Sequence, residues 1–283
     1  MLKQRVITAI ILVLLAGISL FVLPVEGFVA FVSIVVLLAA WEWSDLASLK
    51  NKAVRLLFCA VIAALFTAAY SFCGFDTKTL QIESLRQIFI AGAAWWVIAL
   101  ALVKTYPAST AVWQHPFIKT VMGLFVLFPA WAAFIYLRYL PNGELWVVAL
   151  VAIVAAADIG AYFSGRRFGR RKLAVQVSPG KSWEGFWGGL LAVVIVAALA
   201  SNIIAQLSLL QLITIAVLTA LASVLGDLLE SMVKRQRGIK DSGWMLPGHG
   251  GFMDRIDSLT AAAPVFALSL LIVMPTAVSG VAR

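Results

Sequence analysis

The stretch LQLITIAVLTALASVLGDLL, residues 210–229, is apolar throughout except for Asp227, Gln211 and a few small hydroxyl side chains. Its length, about 20 residues, is what an α-helix needs to cross the hydrocarbon core of a bilayer. Working outward, the same reading picks out 6–23, 27–43, 54–73, 88–103, 121–140, 145–163, 186–207 and 259–278. The fourth of these nine stretches, 88–103, is short. Pro129 and Pro264 fall inside their stretches and would weaken the backbone hydrogen bonding there.

Composition agrees with this reading. Of the 283 residues, 63% are hydrophobic and only 12% charged, against roughly 25% charged in soluble domains. A water-soluble globule is excluded. Lys3 and Arg5 precede the first apolar stretch as in a secretion signal, but the stretch is too long and lacks a small-x-small cleavage site. Cys59 and Cys73 are too few for a disulfide scaffold or a cysteine zinc site and read as small packing residues. The expected fold is an all-α polytopic membrane protein with about nine transmembrane helices.

The net charge of +9 raises the question of nucleic acid, and the position of the basic residues answers it. With the N-terminus in the cytoplasm, all of the 22 Lys and Arg fall on the cytoplasmic side except Lys78, Arg86, Arg138 and Arg283. The positive-inside rule therefore predicts a cytoplasmic N-terminus and an external C-terminus. The charge is topological, and no nucleic-acid partner is expected. Two long cytoplasmic segments, 164–185 and 230–258, hold most of the polar residues. Residues 1–140 accordingly read as a transmembrane scaffold and 141–283 as the catalytic region.

A carboxylate at membrane depth is costly and marks function or a partner. Asp158, near the cytoplasmic end of the sixth stretch, and Asp227, near that of the eighth, lie at similar depth; Asp158 also reads as a structural hydrogen-bonding residue. On a helix, Asp227, Glu230, Ser231 and Lys234 form one polar stripe. Arg235, Lys240 and Asp241 follow in a basic loop, then Gly248-His249-Gly250-Gly251, whose glycines permit close backbone approach to phosphates. Asp254 and Asp257 are spaced to share one face of a helix start, beside Arg255. Asp227, Asp254 and Asp257 suit one or two Mg²⁺ ions, and the surrounding cations suit a polyphosphate. In the other segment Ser178, Lys181 and Ser182 surround the mouth of a helix, where backbone N–H groups attract anions. Gly180-Lys181-Ser182 lacks the upstream glycine of a P-loop, so an NTPase of that kind is rejected. The arginines at 166, 167, 170 and 171 read as a topogenic cluster near anionic lipid. His115 is incidental, and His249 is a hydrogen-bonding residue rather than a metal ligand.

These residues carry a resemblance. Ser231-Met232-Val233-Lys234-Arg235, Lys240-Asp241-Ser242-Gly243, Leu246 to Gly251 and Asp254-Arg255-Ile256-Asp257 together resemble the signature of the CDP-diacylglycerol synthases, or phosphatidate cytidylyltransferases, of bacterial type. The run from Asp158 to Tyr162 and Ser178-Pro179-Gly180-Lys181 are also similar to segments of that family, with Ser182 standing where threonine is expected. The resemblance implies transfer of CMP from CTP to phosphatidic acid, giving CDP-diacylglycerol and pyrophosphate. It also implies a requirement for Mg²⁺ and a homodimer in the bacterial cytoplasmic membrane, its site facing the cytoplasm.

The catalytic expectation falls on Asp227, Lys234, Lys181 and Asp254, and the metal expectation on Asp227, Asp254 and Asp257. Substrate binding is expected of Ser178, Lys181, Ser182, Ser231, Lys234, Arg235, Lys240, Gly248, His249, Gly250, Gly251 and Arg255. Asp158, Glu230 and Asp241 have no fixed role. A CTP-dependent polyprenol or lipid kinase is the alternative enzyme, and a carrier for anionic phospholipid the alternative of another class.

Overall fold

The structure, a computed structural model, describes residues 2–204 and 206–274. Arg283, Pro275 and the end of the stretch expected at 259–278 lie outside the described residues. The order is α1 (Leu2–Phe21), α2 (Val25–Leu46), α3 (Lys52–Phe72), α4 (Ile82–Lys104), α5 (Thr110–Trp113), α6 (Pro116–Tyr139) and α7 (Gly143–Phe168). Strands β1 (Lys172–Ala174) and β2 (Ser178–Ser182) follow, then α8 (Trp183–Ala200), α9 (Leu209–Arg237) and α10 (Met253–Val273). Among the described residues nine helices are long and apolar enough to cross a membrane; α5 is a single short turn.

Most helices run past the apolar stretches, but α8 covers Trp183–Ala200 and so stops short of the expected 207. α4 begins at Ile82 instead of 88, so the fourth span is of full length. α7 continues to Phe168 and α9 to Arg237, so Arg166, Arg167 and Arg235 are helical and not in loops, and Lys234 keeps the helical place its stripe implies. A helix is sustained by its backbone hydrogen bonds, which continue after the apolar run has ended. Local signals mark the true ends of α9. Ser208 and Gln211 form a capping box, and Gly238 in the left-handed region closes the C-terminus, with Gly238 and Ile239 N–H donating to Arg235 and Lys234 carbonyls. The antiparallel pair of β1 and β2, joining α7 to α8, adds a small hairpin to an otherwise helical fold.

α6 and α10 are the most buried spans. α10 packs against α9, α6, α4, α7 and α2. Pro129 of α6 and Pro264 of α10 converge on Gly92 of α4, where a Cβ would stand 2.8 Å from Pro129 and 3.5 Å from Pro264. Absence of a side chain lets the three helices meet at this point. Trp95 and Trp96 lie near the middle of α4 and are buried, as is Trp43, whose indole donates to the Lys119 carbonyl at 2.8 Å. These rings pack the bundle. His115 caps α6, accepting from Phe117 N–H at 3.2 Å, and both cysteines are free thiols. α1 stands apart, with a largely uncovered apolar surface suited to lipid.

Candidate active site

One end of the bundle gathers nearly all the polar chemistry, and small residues bring it together. α7 and α8 approach closely along Gly160, Gly185 and Gly189: a Cβ on Gly160 would lie 2.7 Å from the Gly188 carbonyl, and one on Gly189 would lie 2.6 Å from that of Ala157. This seam fixes the hairpin that carries Lys181. Glu184 closes the base of the hairpin by accepting from Arg170 N–H at 3.0 Å and Arg171 N–H at 3.2 Å. Ser182 caps α8, accepting from Gly185 N–H at 3.1 Å. On the other side Gly226 of α9 packs directly on the Asp257 carbonyl of α10. That contact brings the levels of Asp227 and Asp257 together.

Within this frame Lys181 pairs with Asp227 at 2.6 Å, and the Ser231 hydroxyl donates to the other Asp227 oxygen at 3.1 Å. Lys234 sits between two carboxylates, 2.6 Å from Glu230 and 2.7 Å from Asp254. Glu230 is fully buried, and its Oε1 has no hydrogen-bond partner among the described residues. Asp254 Oδ2 accepts from Ser242 N–H at 2.9 Å and Gly251 N–H at 2.8 Å. Asp257 Oδ1 accepts from Ser258 N–H at 2.7 Å. Arg235 ties α9 to the hairpin by donating to the Val177 carbonyl at 3.3 Å.

Asp227, Ser231, Lys234, Arg235, Lys240, Asp241, Asp254, Arg255 and Asp257 line one cavity of about 310 Å³. A second, of about 630 Å³, adjoins it through Lys240, Asp241 and Arg255 and is walled by the turn Leu246–Gly250 and by Arg5 of α1. In that turn Gly248 and Gly250 have φ of +78° and +82°, which side-chain-bearing residues rarely adopt. His249 Nδ1 is buried there without a partner among the described residues. A third cavity, of about 370 Å³, holds Asp158, Lys181 and Ser182. The Lys181–Asp227 pair therefore stands between the first and third. Ser178 lies in β2, paired with Ala174.

The residues singled out from sequence thus share one end of the molecule, with qualifications the geometry imposes. Asp254 has both oxygens engaged, and the Gly251 amide is directed to it. The Ser182 hydroxyl is engaged as a helix cap. Among the described residues no three His, Cys, Asp or Glu side chains are grouped closely enough to hold an ion. Glu42 of α2, which sequence reasoning passed over, reaches the same loop. It lies inside the stretch 27–43, so the criterion that singled out Asp158 applies to it equally.

Fold and site together define a polytopic membrane protein whose polar chemistry is concentrated at one end of its helix bundle. The chain belongs to the Cytidylyltransferase family, whose sequence pattern matches residues 3–273, which makes it a nucleotidyltransferase. It is 44% identical over 273 residues to a protein of Pseudomonas aeruginosa named phosphatidate cytidylyltransferase, covering 95% of this chain and 97% of that one. A protein of the same name in Haemophilus influenzae is 39% identical over 280 residues, covering 94% and 97%. Another, in Brucella suis, is 34% identical over 277 residues, covering 94% and 92%.

Proposed function

We propose that this chain transfers CMP from CTP to phosphatidate, giving CDP-diacylglycerol and pyrophosphate, at the cytoplasmic face of a bacterial inner membrane. One observation carries the lipid half of this reading. An apolar groove of about 620 Å³, lined by α1, α2, α6, α7 and α10, ends at Leu246 and Arg255, and Arg255 also lines both cavities of the polar site. A substrate with acyl chains and a phosphate headgroup matches that junction, whereas two water-soluble substrates would leave the groove without a use. The names of the relatives point the same way. The reading carries with it the homodimer that the resemblance implies.

The reaction forms a bond between a phosphatidate oxygen and the α-phosphorus of CTP and breaks the α–β bridging P–O bond. Pyrophosphate departs with the electron pair. The nucleophile is already an anion, so a strong general base is unnecessary. Repulsion between two polyanions is the obstacle, and fixed cations lower it. Lys234, Arg235 and Lys240 would hold the CTP phosphates and then pyrophosphate. Lys181, Arg255 and Ser178 would meet the lipid phosphate or the nucleotide. Asp254 holds Lys234 in place, and Ser182 fixes the start of α8.

The donor set fits Mg²⁺. The cavity offers carboxylate oxygens beside space for a phosphate, where Mg²⁺ commonly takes one or two carboxylates and completes its shell with phosphate and water. Asp257 would hold it together with Asp227, whose oxygens now meet Lys181 and Ser231 and which would exchange Lys181 for the ion. Asp254 stays engaged with Lys234 and two backbone N–H groups. When bound, the ion would offset charge on the substrates and the transition state.

The test is purified protein given phosphatidate and CTP labelled at the α- or the γ-phosphorus, with diacylglycerol as the control acceptor. Label from the α-position on lipid, with stoichiometric pyrophosphate release, is the expected result. Transfer of γ-label would make it a lipid kinase, and lipid movement without nucleotide consumption a carrier.

A further inference from the structure

Glu42 makes contacts that the sequence reading gives no part in the site. It lies near the C-terminal end of α2 and is 2% exposed. Its Oε2 accepts from the backbone N–H of Met253, the first residue of α10, at 2.8 Å and from the Ser242 hydroxyl at 3.2 Å. Its Oε1 is buried with no partner among the described residues. Gly243 and Gly251 close on it so tightly that a Cβ at either would overlap a Glu42 oxygen.

The geometry explains how α10 begins. Its N-cap residue, Phe252, provides no side-chain acceptor. Unsatisfied first-turn N–H groups normally take one from the N-cap. Here Met253 N–H is met by Glu42, and Asp254 N–H by the Ser242 hydroxyl at 3.3 Å. Ser242 in turn donates its own N–H to Asp254, which fixes Lys234, which pairs with Glu230. A continuous polar chain runs from the second helix to the cations and carboxylates of the cavity.

We infer that Glu42 is a positioning residue for the reaction: it caps α10 from outside and clamps the 242–251 loop, thereby setting where Asp254, Asp257 and Lys234 stand. It does so without touching either substrate. The inference rests on the reading of the α9–α10 cavity as the reaction site.

The experiment uses full-length protein in detergent, with two readouts: steady-state kinetics of CMP transfer below the unfolding temperature of every variant, and amide hydrogen exchange read by mass spectrometry. A displacement of about 1 Å remote from the chemistry can cost about 100-fold. Glu42→Ala is therefore expected to lower kcat by about tenfold or more while KM for CTP changes by less than about threefold. Exchange across residues 242–254 should accelerate while the middle of α9 stays protected. Glu42→Gln, which keeps an acceptor for Met253 N–H, should recover most of kcat. Ser242→Ala should reproduce the kinetic defect, and serves if Glu42→Ala does not fold; the pair combined should be strongly non-additive. Wild-type kcat in a folded Glu42→Ala, or in Ser242→Ala, overturns the inference, as does unchanged exchange over 242–254. Absence of CMP transfer by the wild-type protein would defeat the functional reading instead, and the exchange data would still decide whether Glu42 holds the loop.

Discussion

Lys234 is the cation on which the first cavity turns, since its ammonium is shared by Glu230 and Asp254, whose side chains are 0% and 6% exposed. Removing one partner of a buried ion pair leaves uncompensated charge, at a cost of about 3–5 kcal/mol. Lys234→Met should therefore lower unfolding stability by about that amount and abolish CMP transfer, read by denaturation in detergent and by product formation. Asp227→Asn and Asp257→Asn should instead keep expression and hydrodynamic size while transfer drops by about 100-fold or more. Near wild-type turnover in both would refute their role. Lys181→Ala, which removes the partner of Asp227, should lower kcat/KM by about tenfold without altering membrane insertion. Sequence made these residues legible because acids and lysines stood out against apolar spans. It could not separate a free carboxylate from one already satisfied. Asp227, Asp254 and Ser182 read as available groups. Yet Asp227 is held by Lys181 and Ser231, Asp254 by Lys234 and two backbone N–H groups of its loop, and Ser182 by the start of α8.

At the level of elements the close approaches are the controlling feature. At Gly226 a Cβ would run into the Asp257 carbonyl, and overpacking of this kind costs about 1–3 kcal/mol. Gly226→Ala should thus displace α10 from α9 and reduce activity more than stability, measured by kinetics beside thermal unfolding. Gly180 offers the contrast, since a Cβ there meets nothing within 4 Å. Gly180→Ala should leave the unfolding temperature unchanged, whereas Gly189→Leu should lower it by prising α8 from α7. The spans themselves were readable from apolar length alone. Their ends were not, because hydrophobicity reports where lipid ends and says little about where helical hydrogen bonding ends. The extension of α9 to Arg237 and the hairpin between α7 and α8 both lie beyond the reach of that signal.

For the molecule as a whole, the apolar groove beside Arg255 makes a prediction about substrate length. Gly17 lines it with no atom within 4 Å of a would-be Cβ. Gly17→Trp should slow turnover of long-chain phosphatidate severalfold and spare a short-chain analogue, compared side by side in mixed micelles. Equal slowing of both would place the acyl chains elsewhere. The N-terminal helices also reach the loop of the C-terminal region, since Met253 is held by a residue 211 positions earlier. Arg5 and Thr8 of α1 reach the same loop, Thr8 donating to the Pro247 carbonyl at 3.1 Å. This bond across the chain bears on biogenesis. A nascent polypeptide inserted only as far as α9 would own every earlier element and yet lack a finished reaction centre. Competence would arrive in one late step, when α10 threads into place and finds its acceptor waiting on α2.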